Sequence, residues 1–433
     1  MWDFSTDPAF EKKLTWARDF MEQEVYLLEA LEGVDESAFH RVLDPLREQV
    51  KEHGLWAAHL PPELGGQGMG ALELGLLNEV IGRSAFGPTV FGSQAPDAGN
   101  AELIAASGTA QQRERFLDPL LAGDVKSAFS MTEPDTAGSD PTLLTTVATP
   151  DGDGWRLNGR KWFTSNGSVA DFLVVMAVTD PDARAHERAS MFVIPADLEG
   201  VEIVRDVPTM EDPTGVQGRF RAGGYGHAEI VYRDVAISRE HLLGSVGEGF
   251  ALAQRRLGPG RIQHSMRWLG QSQRAFDMLC ERAVSRVAHG STLSEKGAVQ
   301  GWVADSSAEI LAARLMTLYT AWRIDHEGAR AARTEISLIK FYGAEVLFNV
   351  IDRAIQIHGG LGFSTDLPLE AMYRNARAAR IYDGPDEVHR QTAARLVLRG
   401  YAATAVPSEH VPTRRNVARE RFAEQLADAS ANL

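Results

Sequence analysis

The chain has 433 residues, 44% of them hydrophobic and 24% charged, a net charge of −15 and a single cysteine, Cys280. Such a length predicts roughly three domains with ordinary apolar cores, and the acidity argues against non-specific binding to nucleic-acid backbones. One cysteine excludes an internal disulfide, no run of about 18 apolar residues predicts a membrane span, and Met1-Trp2-Asp3-Phe4 lacks a secretory pattern, so a cytoplasmic protein is expected.

Residues 7 to about 126 read as helical, with punctuation at Pro45, Gly54, Pro61-Pro62 and Gly65-Gly66. From about 127 to 240 the texture changes to short β-branched runs: Thr145–Thr149, Trp155–Leu157, Phe172–Val178, Met191–Ile194, Val201–Val204 and Glu229–Tyr232. Turns at 151–154 and at Asn158-Gly159 separate several of them, which predicts a small antiparallel barrel or sandwich. Helical period returns near 241, with candidate helices at 249–288, 296–328, 332–357 and 385–400 forming one bundle. Leu311, Leu315, Leu318 and Trp322 are expected to line one helix face. The expected division is 1–126, 127–240 and 241–404, with a tail at 405–433 that either docks as a helix or lacks order.

Three segments stand out chemically. Ser130-Met131-Thr132-Glu133-Pro134 and the hydroxyl-rich residues up to Asp140 offer donors to an anionic or heterocyclic ligand, or cap a helix as a polar loop. Asn158 to Gly167 places Trp162 near Thr164, a stacking surface with a hydroxyl or else a hairpin with a core tryptophan. Gln356-Ile357-His358-Gly359-Gly360-Leu361-Gly362 halts a helical pattern at three glycines, in neither a Rossmann nor a P-loop spacing. The basic string from Arg374 to Arg380 reads as a solvated face. No His/Cys cluster has metal-ligand spacing, so no metal is expected.

Taken in order, Ser-Met-Thr-Glu-Pro, Gly159-Arg160-Lys161-Trp162-Phe163-Thr164, the strand Met191–Pro195, the 356–362 glycine segment and Ile381-Tyr382-Asp383-Gly384 resemble the acyl-CoA dehydrogenase family. Leu60 to Gly68 fits the same family. The strings Gln94–Asn100, Arg256–Ile262 and Asp383–His389 resemble the branch holding family members ten and eleven. The resemblance implies an α+β multidomain fold: an N-terminal helical domain, a middle antiparallel β-barrel and a C-terminal four-helix bundle, with FAD between barrel and bundle. It also implies α,β-dehydrogenation of a fatty acyl-CoA, with a carboxylate taking the α-proton while a hydride passes to flavin N5. The position of that base, glutamate in much of the family, is Asp383 here; Gly260 stands where other members carry the base.

By the same resemblance Met131 and Thr132 meet the polar edge of the flavin, Trp162 lies against its rings, Thr164 reaches N5 and Ser139 lies near the pyrophosphate. Arg286, Gln356, Gly359 and Gly360 reach the FAD of a neighbouring subunit, which implies a homodimer or homotetramer. Pro385 replaces a cofactor-contacting threonine and removes both a hydroxyl and an N–H. An electron-transferring flavoprotein is the expected electron acceptor, with O₂ as the alternative. Two other readings stay open: a nitroalkane oxidase-like flavoprotein with an aspartate base, and a non-catalytic flavoprotein that binds nucleic acid. His264, beside Arg261, is a candidate neighbour of the base or a packing histidine.

Overall fold

The computed structural model describes residues 5–31, 34, 36–220, 224–403 and 411–430. The N-terminal part carries helices α1 (Pro8–Phe20), α2 (Glu36–Glu52), α3 (Ala71–Ile81) and α4 (Asp97–Ser107), with shorter turns between them. Helix α1 starts where its sequence predicts: the Asp7 carboxylate accepts from the Ala9 N–H at 2.8 Å, and Pro8 supplies a first-turn residue that needs no acceptor. Helix α3 is capped from far along the chain, because the Asp325 carboxylate accepts from the N–H groups of Ala71 and Leu72 at 2.6 and 2.9 Å.

Eight strands follow: β1 (Ser127–Ser130), β2 (Val147–Asp151), β3 (Gly154–Ser165), β4 (Phe172–Val178), β5 (Ala189–Pro195), β6 (Val201–Asp206), β7 (His227–Ile237) and β8 (Leu242–Leu243). They form one mixed, mainly antiparallel sheet in the order β6-β7-β3-β2-β4-β5-β8, with β1 parallel to β4. Strand β4 is buried on both faces, which its unbroken apolar sequence requires. Phe172, Val174 and Met176 face N-terminal residues such as Ile104 and Phe116, while Leu173, Val175 and Ala177 face Leu157, Ile230 and Val235 across the sheet. The expected turn at Asn158-Gly159 is instead an irregularity inside β3, where a register shift against β7 falls between Leu157 and Gly159. Gly159 is required there, since a Cβ would stand 2.4 Å from the Thr146 hydroxyl.

The C-terminal part holds α5 (Gly249–Ser285), α6 (Gly297–Glu327), α7 (Arg333–His358), α8 (Leu369–Ala379) and α9 (Asp386–Leu398). One core joins the N-terminal helices to those of the C-terminal part: Phe10, Leu14 and Phe20 belong to the same buried cluster as Met266 and Leu269 of α5, Leu318 of α6 and Val350 of α7. The apolar face expected on α6 splits. Leu318 is fully buried, whereas Leu311 and Leu315 are 56% and 40% exposed and Tyr319 is exposed beside them. The basic string of α8 is not merely solvated, because Arg374 donates to the carbonyls of Met210 and Glu211 and pairs with Glu370. In the tail, Val411–Arg421 and Ala423–Ser430 are helical, and residues 414–427 are exposed; residues 404–410 lie outside the described set. Among the described residues no helix is long and apolar enough to cross a membrane, and no cluster of metal-ligand type occurs.

Candidate active site

The segment after β1 is tied to β3 by a buried ion pair. Lys161 and Glu133 are 0% and 1% exposed, and their charged atoms lie 2.9 Å apart. Glu133 also accepts from the Thr145 N–H and hydroxyl and from the Thr146 N–H, while Lys161 donates its other bond to the Met131 carbonyl at 2.8 Å. Burial opposes the charge on Glu133, but the Lys161 ammonium and these donors outweigh it and hold the carboxyl down to about 2. Burial wins at Lys161, which falls to about 8 despite its partner and stays charged at neutral pH. The Trp162 N–H donates to the Thr132 carbonyl at 2.9 Å, so both Met131 and Thr132 are fixed by their backbones against β3.

Strand β3 then bulges. Its register against β7 shifts between Lys161 and Thr164, and Phe163 takes a left-handed φ of +49°. Strict alternation would put Lys161 and Thr164 on opposite faces; the bulge turns both inward, each 0% exposed. The Thr164 hydroxyl therefore donates to Ser130 Oγ in the core, at 3.3 Å. What the bulge turns outward is half-buried Trp162, edge-on to an exposed Phe163 at 4.9 Å, followed by half-buried Ser165 bonded to His227 at 2.8 Å. An exposed aromatic residue held in a sparsely populated conformation is a strained feature of the kind found at ligand sites. Phe163 and Ser165 escaped the sequence reading because a bulge leaves no mark on side-chain periodicity.

Ser139 is exposed at the start of the 3₁₀ turn Pro141–Leu143 region, adjoining Asp140, which caps that turn. Arg286 ends α5, and Gln356, Gly359 and Gly360 end α7; all four are exposed, with Gly359 at φ +62° closing the helix. Phe363, just beyond, is 85% exposed.

Asp383 lies in the turn between α8 and α9, at φ +54°, followed by Gly384 at +98°. Three side chains grip it. His389 Nε2 lies 3.1 Å from its carbonyl, Arg261 Nη2 donates to the same carbonyl at 3.4 Å, and His264 Nε2 lies 3.3 Å from its carboxylate oxygen Oδ2. The Asp383 N–H, in contrast, donates to no protein acceptor among the described residues. Its side chain is 23% exposed. Pro385 begins α9, whose first residue Asp386 is buried and paired with Arg380 at 2.7 Å.

Around this carboxylate the charges are mostly positive. Arg256 and Arg261 on α5 are pushed down by burial and held up in part by Asp383. Lys340 on α7 is brought to about 8 by burial, with Asp383 and Asp386 opposing, and it donates to the Ala379 carbonyl at 2.8 Å. A lone lysine within the apolar run of α7 was the signal for Lys340, and the sequence reading passed over it. The arrangement offers a carboxylate with a free oxygen, an idle backbone donor beside it, and an aromatic ledge on the middle domain.

Three domain families match along the chain: acyl-CoA dehydrogenase N-terminal domain over residues 11–124, middle domain over 128–222 and C-terminal domain over 247–398. The chain belongs to the acyl-CoA dehydrogenase family, and is an oxidoreductase of that flavoprotein class, whose cofactor is FAD. It is 43% identical over 406 residues to the probable acyl-CoA dehydrogenase FadE2 of Mycobacterium tuberculosis, covering 92% of this chain and 97% of that protein. Mouse acyl-CoA dehydrogenase family member 10 is 37% identical over 93% of this chain, but the match spans only 38% of that longer protein. A solved acyl-CoA dehydrogenase-type structure from Mycobacterium abscessus superposes with a TM-score of 0.85 at 38% identity, covering 92% of this chain and all of the other.

Proposed function

We propose that this protein oxidises a fatty acyl-CoA thioester to the trans-2-enoyl-CoA, with Asp383 as the base that takes the α-proton. The observation that carries the reading is the carboxylate held in a left-handed turn with one oxygen engaged, the other available, and an unpartnered N–H on the same residue. Bound FAD would supply the acceptor for a hydride from the β-carbon. The residues that would hold it are Met131 and Thr132 at its polar edge, Trp162 and Phe163 against its rings, Ser165 as the hydroxyl in place of inward-turned Thr164, and Ser139 toward the pyrophosphate. The strained, open ring of Phe163 supports this fit. Arg286, Gln356, Gly359 and Gly360 would complete the site of a neighbouring copy, in keeping with their exposure, so a dimer or tetramer is expected to bind FAD best.

An α-C–H is too weak an acid for a carboxylate alone. The Asp383 N–H supplies what the proton transfer lacks by donating to the thioester carbonyl as charge develops there. Loss of one such donor costs about 2.7–4 kcal/mol in other enzymes. Substrate closing the exposed side of Asp383 expels water and strengthens the base. Electrons would then pass to an electron-transferring flavoprotein.

The test is anaerobic titration of the FAD-loaded protein with acyl-CoAs of graded length, followed by the visible flavin absorbance. Wild type should bleach, and Asp383→Asn should keep its flavin yet remain oxidised. Equal bleaching of the variant, or bleaching of wild type by nitroethane and by no acyl-CoA, would overturn the proposal.

A further inference from the structure

We infer that His264 is a positioning residue that grips one carboxylate oxygen of Asp383 and leaves the other aimed at the substrate. This rests on Asp383 being the base. Helix α5 presents one continuous face to the turn that carries it. Arg261 donates to the Asp383 carbonyl, His264 one turn later meets Oδ2 at 3.3 Å, and Trp268 one turn beyond donates its indole N–H to the Tyr382 hydroxyl at 2.9 Å. Carbonyl, carboxylate and the preceding side chain are thus read by positions i, i+3 and i+7 of a single helix. His264 and Asp383 are 24% and 23% exposed, and the histidine ring lies 5.5 Å from Tyr382 and 6.3 Å from Trp268.

The proton on His264 follows from its surroundings. Arg256, Arg261 and Arg267 on α5, Lys340 on α7 and His389 on α9 all lie around the pair, with the Tyr382 phenol beside it. Burial, reinforced by Arg267, Arg256 and Lys340, outweighs the pull of Asp383 and lowers His264 to about 4. A neutral imidazole this close to a carboxylate oxygen must present Nε2–H to it, which leaves Nδ1 bare.

An aspartate needs such a grip. Its backbone is fixed at φ +54°, but rotation of the carboxylate about χ2 is broad. A donor on Oδ2 removes that freedom and fixes the direction of Oδ1. With a side chain one methylene shorter than glutamate there is little reach to spare, and a misplacement of about 1 Å can cost on the order of a hundredfold in rate.

Two substitutions separate this from a packing role. The amide nitrogen of His264→Gln falls near the place of Nε2, whereas that of His264→Asn falls near Nδ1 and stops short of Asp383. Single-turnover flavin reduction by acyl-CoA should slow about 10- to 100-fold in His264→Asn, with substrate affinity changed by less than about threefold, and should largely recover in His264→Gln. Independently of turnover, ¹⁵N spectra of histidine-labelled wild type between pH 6 and 8 should show a neutral, Nε2-protonated His264 whose signal moves in Asp383→Asn.

An Nδ1-protonated His264, or asparagine and glutamine variants that both reduce flavin like wild type, overturns the inference while leaving Asp383 as base. Wild type that no acyl-CoA reduces removes the proposed function and this inference together.

Discussion

Replacing Glu133 by glutamine tests the ion pair that anchors the segment proposed to face the flavin. Glu133 and Lys161 are 1% and 0% exposed, so the substitution leaves the buried lysine with neutral acceptors only, the Met131 carbonyl and the new amide oxygen. Breaking a buried pair from one side costs about 3–5 kcal/mol, and that loss is expected at pH 7 in urea denaturation followed by tryptophan fluorescence. The pH dependence fixes the cause. Lys161 sits at about 8 in the folded protein against 10.5 when unfolded; without its carboxylate it falls lower still and folds neutral at pH 7. The unfolded variant then binds a proton that the folded variant lacks, so its stability rises with pH. Wild type begins the same rise only above pH 8, so the deficit should narrow by about 1 kcal/mol between pH 7 and 8 and then level off. FAD content should fall with it, and Glu133→Gln combined with Lys161→Met should be milder than Glu133→Gln alone. A deficit below about 1 kcal/mol, or one indifferent to pH, would refute the reasoning.

Gly384→Ala should destabilise by on the order of 1–3 kcal/mol and slow flavin reduction; φ is +98° there, and a Cβ would stand 2.7 Å from His389 Nε2, the atom that meets the Asp383 carbonyl. Wild-type reduction rates in this variant would show that the turn need not be held. His59, His264 and His389 are each lowered to about 4 by burial. As pH falls from 6.5 toward 4 the unfolded chain takes up protons that the folded one refuses, so urea midpoints should drop through that window, by at most about 3 kcal/mol per histidine; a flat profile would contradict the assignment. Leu315→Glu on the open face of α6, beside Leu311 and Tyr319, should yield monomers with less FAD in sedimentation velocity, and unchanged assembly would place the interface elsewhere.

Helices α5, α6, α7 and α9 were legible to within a few residues, and β4 to the residue, because unbroken or periodic apolar runs leave few alternatives, whereas the short helix α8 went unassigned. Strand β1 was not, since Ser127-Ala128-Phe129-Ser130 has no β-branched residue and forms only by pairing with β4. The orientation of Thr164 was hidden for another reason: period-2 logic fails across a bulge, and only the partner strand β7 reveals where the extra residues go. The stripe on α6 has correct helical spacing, yet spacing does not tell a core from an exposed apolar face. Asp383 was legible through its motif, whereas its grip by Arg261 and His389 needs two helices brought together, one of them more than a hundred residues upstream.

The buried cluster that joins α1 and α3 to α5, α6 and α7 makes the first ninety or so residues a structural support for the helices that follow the sheet. Removing the leading helices would uncover apolar faces on the helix that carries Arg261 and His264, and the aspartate turn would feel that loss without being touched. The leading helices and the aspartate turn are thus mechanical neighbours, so trimming the N-terminal helices, even far from any ligand, is an intervention at Asp383.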